Sequence, residues 1–123
     1  MKEQSAKWVK QAEYDFATAE AMFQTKRYVY VIFMCHLALE KMLKAVYTEV
    51  MEDYPPRIHS LDKLAQKAGV LFPDRMQEFI GDLSELSIPT RYEDEARKIE
   101  RKQAQSVLAQ TREVFKWLRR QLK

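Results

Sequence analysis

Residues 28–53 read YVYVIFMCHLALEKMLKAVYTEVMED, and how this stretch folds decides the rest. Its opening, YVYVIFM, is β-branched and aromatic enough for a strand. The continuation, ALEKMLKAVYTEV, is strongly helical in composition, and no Gly or Pro separates the two. One helix is therefore expected from Tyr28 to about Asp53. Pro55-Pro56 stops it, because proline cannot continue a helix and biases Tyr54 away from one. A first half that is apolar all round belongs at the centre of a bundle. The apolar run Tyr28–Leu39 is 12 residues long and meets Glu40 and Lys41 directly. A membrane span needs about 20 apolar residues, so none is expected.

Working outward, Trp8, Ala12, Phe16, Ala19 and Phe23 recur at helical spacing and predict an amphipathic helix from about Gln4 to Thr25. After a loop from Tyr54 to His59, Ser60 has the chemistry of an N-cap. Asp62 falls in the first turn and Gly69 just past the end of a short helix. A further helix begins near Asp74, where Asp74 and Gln77 have capping-box spacing, and ends before Pro89. Gly81 inside it costs about 1 kcal/mol relative to Ala, and close helix packing is the expected reason. The last helix runs to about Leu122, with Val107, Leu108, Val114, Phe115, Leu118 and Leu122 as its core. The expected fold is all-α: an antiparallel up-and-down bundle of four main helices plus one short helix, in a single domain spanning residues 1–123.

Composition agrees. Hydrophobic residues make up 46% and charged residues 32% of 123 residues, the balance of a globular protein and not of a disordered one. Two Gly and four Pro are too few for collagen-like or turn-rich β architectures. The lone Cys35 leaves no internal disulfide and no Cys-cluster zinc site, and His36 and His59 are too few for an all-protein metal centre. Met1–Lys10 lacks the apolar core and cleavage site of a signal peptide, so a cytoplasmic location is expected.

Charge is uneven. Residues 97–123 hold nine Lys/Arg against two Glu, a local net of +7, which leaves −4 for residues 1–96 of a +3 chain. Such a tail is either a solvated helix face or a surface for phosphate or an acidic partner. Phosphate-loop, dinucleotide, nucleophile-elbow, HExxH and EF-hand signatures are all absent.

Three features carry candidate chemistry. His36, Glu40 and Lys44 lie at i, i+4 and i+8, on one stripe of an otherwise apolar helix. Such a stripe must be hydrogen-bonded or open onto a cavity. Its structural reading is a Glu40–Lys44 pair with His36 satisfied by a carbonyl. Arg91 and Tyr92 follow Pro89-Thr90 at a helix junction. There Arg91 can grip phosphate or carboxylate, or pair with Glu93, Asp94 or a carboxylate of the second helix and lock a loop. Arg57 and His59 precede a helix start, where an anion can sit, although a packing role for His59 is the plainer account.

The run Cys35-His36-Leu37-Ala38-Leu39-Glu40-Lys41-Met42-Leu43-Lys44-Ala45 resembles the A-x-E-K-x-L-K-A helix of HEPN domains. His59-Ser60-Leu61-Asp62-Lys63-Leu64 resembles the segment that follows it in that family. Thr90-Arg91-Tyr92 resembles the junction before the family's last helix, and Trp8, Tyr14, Asp15 and Ala19 fit its N-terminal stretch. The resemblance implies an all-α bundle that homodimerises and is associated with nucleotide or RNA binding. It also implies a minimal nucleotidyltransferase as partner, in a toxin–antitoxin module. Some members are metal-independent ribonucleases with an Arg-x4–6-His motif, in which His moves a proton and Arg stabilises charge on phosphorus. No Arg of this chain has His at that distance, and Glu93 stands where the family often has Pro.

A nucleotide- or RNA-phosphate-binding module without catalysis, cofactor or metal is therefore expected. Its expected binding set is Arg91, Tyr92, Lys44, Glu40, His36 and His59. The alternatives are a ribonuclease using His36 or His59 outside the usual motif, and a structural protein-interaction module.

Overall fold

The computed structural model describes residues 1–87 and 99–122, and among them the chain forms five α-helices. These are α1 (Glu3–Gln24), α2 (Tyr28–Met51), α3 (Leu61–Ala68), α4 (Asp74–Ser87) and α5 (Arg101–Gln121). No strand occurs among the described residues, so YVYVIFM is helical. Burial offsets the poor helix propensity of its β-branched and aromatic side chains: Val31, Ile32, Cys35, Ala38, Leu39, Met42, Leu43, Ala45 and Val46 are all inside. Each large aliphatic side chain so buried contributes about 1.5–3 kcal/mol, which outweighs the propensity penalty of a fraction of that. No described helix is long and apolar enough to cross a membrane.

α1 and α2 form an antiparallel hairpin. Lys2 reaches Glu49 and Glu52 at one end, and the Phe23 and Tyr28 rings lie 5.9 Å apart at the other. Lys26 makes the turn with φ of 62°, a left-handed position usually given to Gly. Along α1 the buried line is Ser5, Val9, Ala12, Asp15 and Ala19. Of the expected stripe, Ala12 and Ala19 are buried, while Trp8, Phe16 and Phe23 are half-buried at its edges. Small side chains face α2 and let the two helices approach, while the aromatics fill the seam. Phe16, for example, packs 5.6 Å from Phe115 of α5.

The ion pairs Arg112–Glu20 and Arg119–Glu13 orient α5 antiparallel to α1. α5 buries Ala104, Val107, Leu108, Thr111, Val114 and Leu118, with Leu122 buried just past its end, whereas Phe115 is half-buried. α3 starts as expected: Ser60 Oγ accepts from the Lys63 N–H at 3.2 Å. It ends at Gly69, whose φ of 72° suits the left-handed cap. The Gln77 amide donates to Asp62 Oδ1 at 2.8 Å, tying α4 to α3. Gly81 corrects one expectation. Nothing lies within 4 Å of where its Cβ would be, so close packing does not account for it.

Candidate functional site

The polar stripe of α2 is buried, and it is completed from a loop. Glu40 Oε2 accepts from Lys44 Nζ at 3.0 Å, one turn on, in the favourable order with Glu N-terminal to Lys. The same oxygen contacts His59 Nδ1 at 3.0 Å. The Glu40 side chain is 5% exposed and that of His59 72%. Ile58, packed against the core, brings the loop down so that the imidazole meets the carboxylate. A carboxylate only accepts, so Nδ1 carries the proton and the Nε2 edge is left for an outside partner. Lys44 Nζ also lies 5.5 Å from the centroid of the Trp8 ring on α1. Indole, ammonium, carboxylate and imidazole thus form one continuous line from α1 through α2 to the loop.

Two cavities flank this line. Phe33, His36, Leu37, Glu40, His59 and Ser87 surround one of about 280 Å³. Trp8, Lys44, Tyr54, Pro55, Pro56 and Arg57 surround another of about 350 Å³. Four expected residues, His36, Glu40, Lys44 and His59, are therefore brought together. Arg91, Tyr92 and the acidic patch at Glu93 and Asp94 lie outside the described residues. Among the described residues, Arg57 lines the cavity of Trp8 and Lys44, and His59 lines that of Phe33 and His36. The Lys63 N–H, one of the free donors at the start of α3, is taken by Ser60.

Sequence reasoning gave Asp15 no ionic role. Its carboxylate is buried and pairs with Lys41 Nζ of α2 at 2.7 Å. The signal was present: Asp15 falls on the buried line between Ala12 and Ala19. The basic tail also reads differently in three dimensions, since Arg112 and Arg119 face Glu20 and Glu13 of α1. Part of the charge asymmetry along the chain is neutralised within the fold. Cys35 is a packing residue. Burial pushes its thiol from 9.0 up to about 12, and the neighbouring Thr111 hydroxyl offsets this only in part. Among the described residues no group of three His, Cys, Asp or Glu could hold a metal ion.

The HEPN domain family model matches residues 5–121. Among solved structures, the chain is similar to TT1696 from Thermus thermophilus, with a TM-score of 0.86 and 22% sequence identity. That likeness covers 98% of this chain and 100% of the other. No curated protein matches the chain.

Proposed function

The chain belongs to the HEPN domain family, and on that premise we propose that it binds nucleotide or RNA phosphate. We place it beside a minimal nucleotidyltransferase in a toxin–antitoxin pair. Membership supports a nucleotide- or RNA-related role in general; the finer reading rests on the α2 site. The observation that carries it is the double use of Glu40, which orients His59 outward while Lys44 neutralises the buried charge. With Nδ1 kept on Glu40, a second proton at Nε2 makes His59 a charge-assisted donor to a phosphate in the cavity shared with His36, beside an apolar floor of Phe33 and Leu37. Arg91 and Tyr92 join the binding set by sequence, four and five residues beyond Ser87 on the cavity rim. Tyr30 and Phe33 on the same helix are exposed large apolar side chains, which supports a homodimer through this face.

Calorimetric titration with ATP and with a short RNA at two salt concentrations tests the assignment. His59→Ala and Arg91→Ala each weaken binding about tenfold, the loss expected of one charge-assisted contact. Affinity unchanged from the parent in both variants removes the site.

One observation favours a second reading, a metal-independent ribonuclease. A neutral imidazole with its Nδ1 proton on a carboxylate presents Nε2 as a base, the arrangement that takes a proton from a hydroxyl. RNA incubated with the protein in chelator distinguishes the two. Cleavage that disappears in His59→Ala supports the enzyme, and cleavage that survives both His36→Ala and His59→Ala ends it.

A further inference from the structure

The start of α1 and the end of α2 meet at a corner that the α2 site does not use. A cavity of about 430 Å³ opens there, bordered by Lys2, Glu3, Trp8, Glu52, Asp53 and Tyr54 among others. That volume is in the range that holds a small ligand or a long side chain.

The charges around this cavity run against the helix. The C-terminal end of a helix is the negative end of its dipole and favours cations. The last turn of α2 has no basic residue; it carries Glu49, with Glu52 and Asp53 directly after it. Lys2 answers part of this. Its backbone N–H donates to Glu49 Oε1 at 2.9 Å, and its ammonium lies 2.7 Å from the Glu49 carbonyl and 3.2 Å from Glu52. Glu3 and Asp53 remain on the rim with no cation bonded to them among the described residues, and the Asp53 carboxylate is held in place by the Tyr54 N–H at 2.7 Å.

The aromatic groups point the same way. Trp8 already takes one cation, Lys44, which lines the neighbouring cavity and not this one. Tyr54 borders both cavities and is largely in solvent, 74% exposed. An indole and a phenol beside carboxylates hold a guanidinium or ammonium through cation–π attraction and ion pairing together. A phosphate would meet three carboxylates and the negative end of α2 at the same place, against the single ammonium of Lys2, which Glu52 and the Glu49 carbonyl already hold.

We propose that this corner docks an arginine side chain from a basic peptide segment of a partner protein, with the guanidinium over Trp8 and its N–H groups toward Glu3 and Asp53. Arginine fits better than lysine because its planar cation stacks on rings and is more weakly hydrated. The proposal goes beyond the phosphate-binding reading and uses a different cavity.

Trp8 emission tests it, read as the difference between the full chain and its Trp8→Phe variant. The titrants are an arginine-bearing tetrapeptide, the same peptide with neutral citrulline in place of arginine, and AMP. The arginine peptide quenches Trp8 saturably. Its dissociation constant rises about tenfold in the Glu3→Gln/Asp53→Asn double variant, whose two exposed positions leave the fold intact. Citrulline peptide and AMP leave the emission unchanged. An equal response to either control, or a response indifferent to the double variant, overturns the proposal. So does quenching that follows the chain's own concentration without peptide, which would make a second copy the occupant.

Discussion

Glu40 and His59 are nineteen residues apart in the chain and 3.0 Å apart in the structure, one buried in α2 and the other exposed on a loop. Because Lys44 shares the same carboxylate oxygen, the loop is fastened to the one buried charge pair of the α2 stripe. The candidate site is therefore a unit: disturbing any one of the three displaces the others.

Removing Lys44 strands a buried carboxylate. Lys44→Met lowers the free energy of unfolding by about 3 kcal/mol, because among the described residues Glu40 is then left with His59. The Glu40→Leu/Lys44→Met double variant recovers most of that loss. Arg112→Ala, which breaks an exposed pair with Glu20, costs under about 1 kcal/mol. Urea denaturation ranks the three, and a Lys44→Met cost no larger than that of Arg112→Ala contradicts the buried network.

The two glycines respond in opposite directions. Gly81→Ala places a methyl in open space within a helix and raises stability by about 1 kcal/mol. Gly69→Ala forces a side chain into φ of 72° and lowers stability by about 1 kcal/mol. Thermal melts of the two variants, shifted to opposite sides of the parent, are the expected result.

Stability falls at both pH extremes for identifiable reasons. The Cys35 thiol stays protonated in the fold up to about 12, while in the unfolded chain it ionises from 9.0. Between those values the unfolded state binds fewer protons, so stability declines with rising pH, by about 1.4 kcal/mol per pH unit from this group. Cys35→Ala flattens that limb. At the acid end, the Lys2 N–H holds the Glu49 carboxyl below its usual 4.5. Its contribution is present above the unfolded value and is lost as pH drops through the folded one. Glu49→Gln therefore shows a shallower acid transition in denaturation curves measured across pH.

The basic tail is partly neutralised inside the molecule. Glu13→Gln and Glu20→Gln release Arg119 and Arg112, so the double variant elutes from heparin at higher salt than the parent. Unchanged elution would mean that those arginines already face solvent counterions.

Much of this was legible in the order of residues. The apolar run ahead of ALEKMLKAV, the Ser60 cap and the Gly69 stop mark α2 and α3 through local chemistry that neighbouring residues suffice to express. What was hidden depends on contacts between elements. Trp8 and Phe16 share one stripe with Ala12 and Ala19 in the sequence, and only the packing of α2 on α1 separates the small buried residues from the half-buried rings. Asp15 falls in line with Ala12 and Ala19, but its partner Lys41 comes from another helix. Glu40 and Lys44 could be paired from spacing alone, but His59 reaches them only through the path of a loop. The neutralisation of Arg112 and Arg119 likewise appears only once α5 lies against α1. Gly81 reads as a packing glycine, yet the space around it is empty.

Histidine ring-nitrogen NMR tests the central claim most directly, since it reads the tautomer and the ligand contact in one spectrum. The account predicts that His59 holds its proton on Nδ1 in the free protein, and that AMP or a short RNA moves the Nε2 resonance of His59 together with the signals of His36. A His59 ring that exchanges between tautomers as it would in a free peptide, with neither imidazole shifted by ligand, contradicts it.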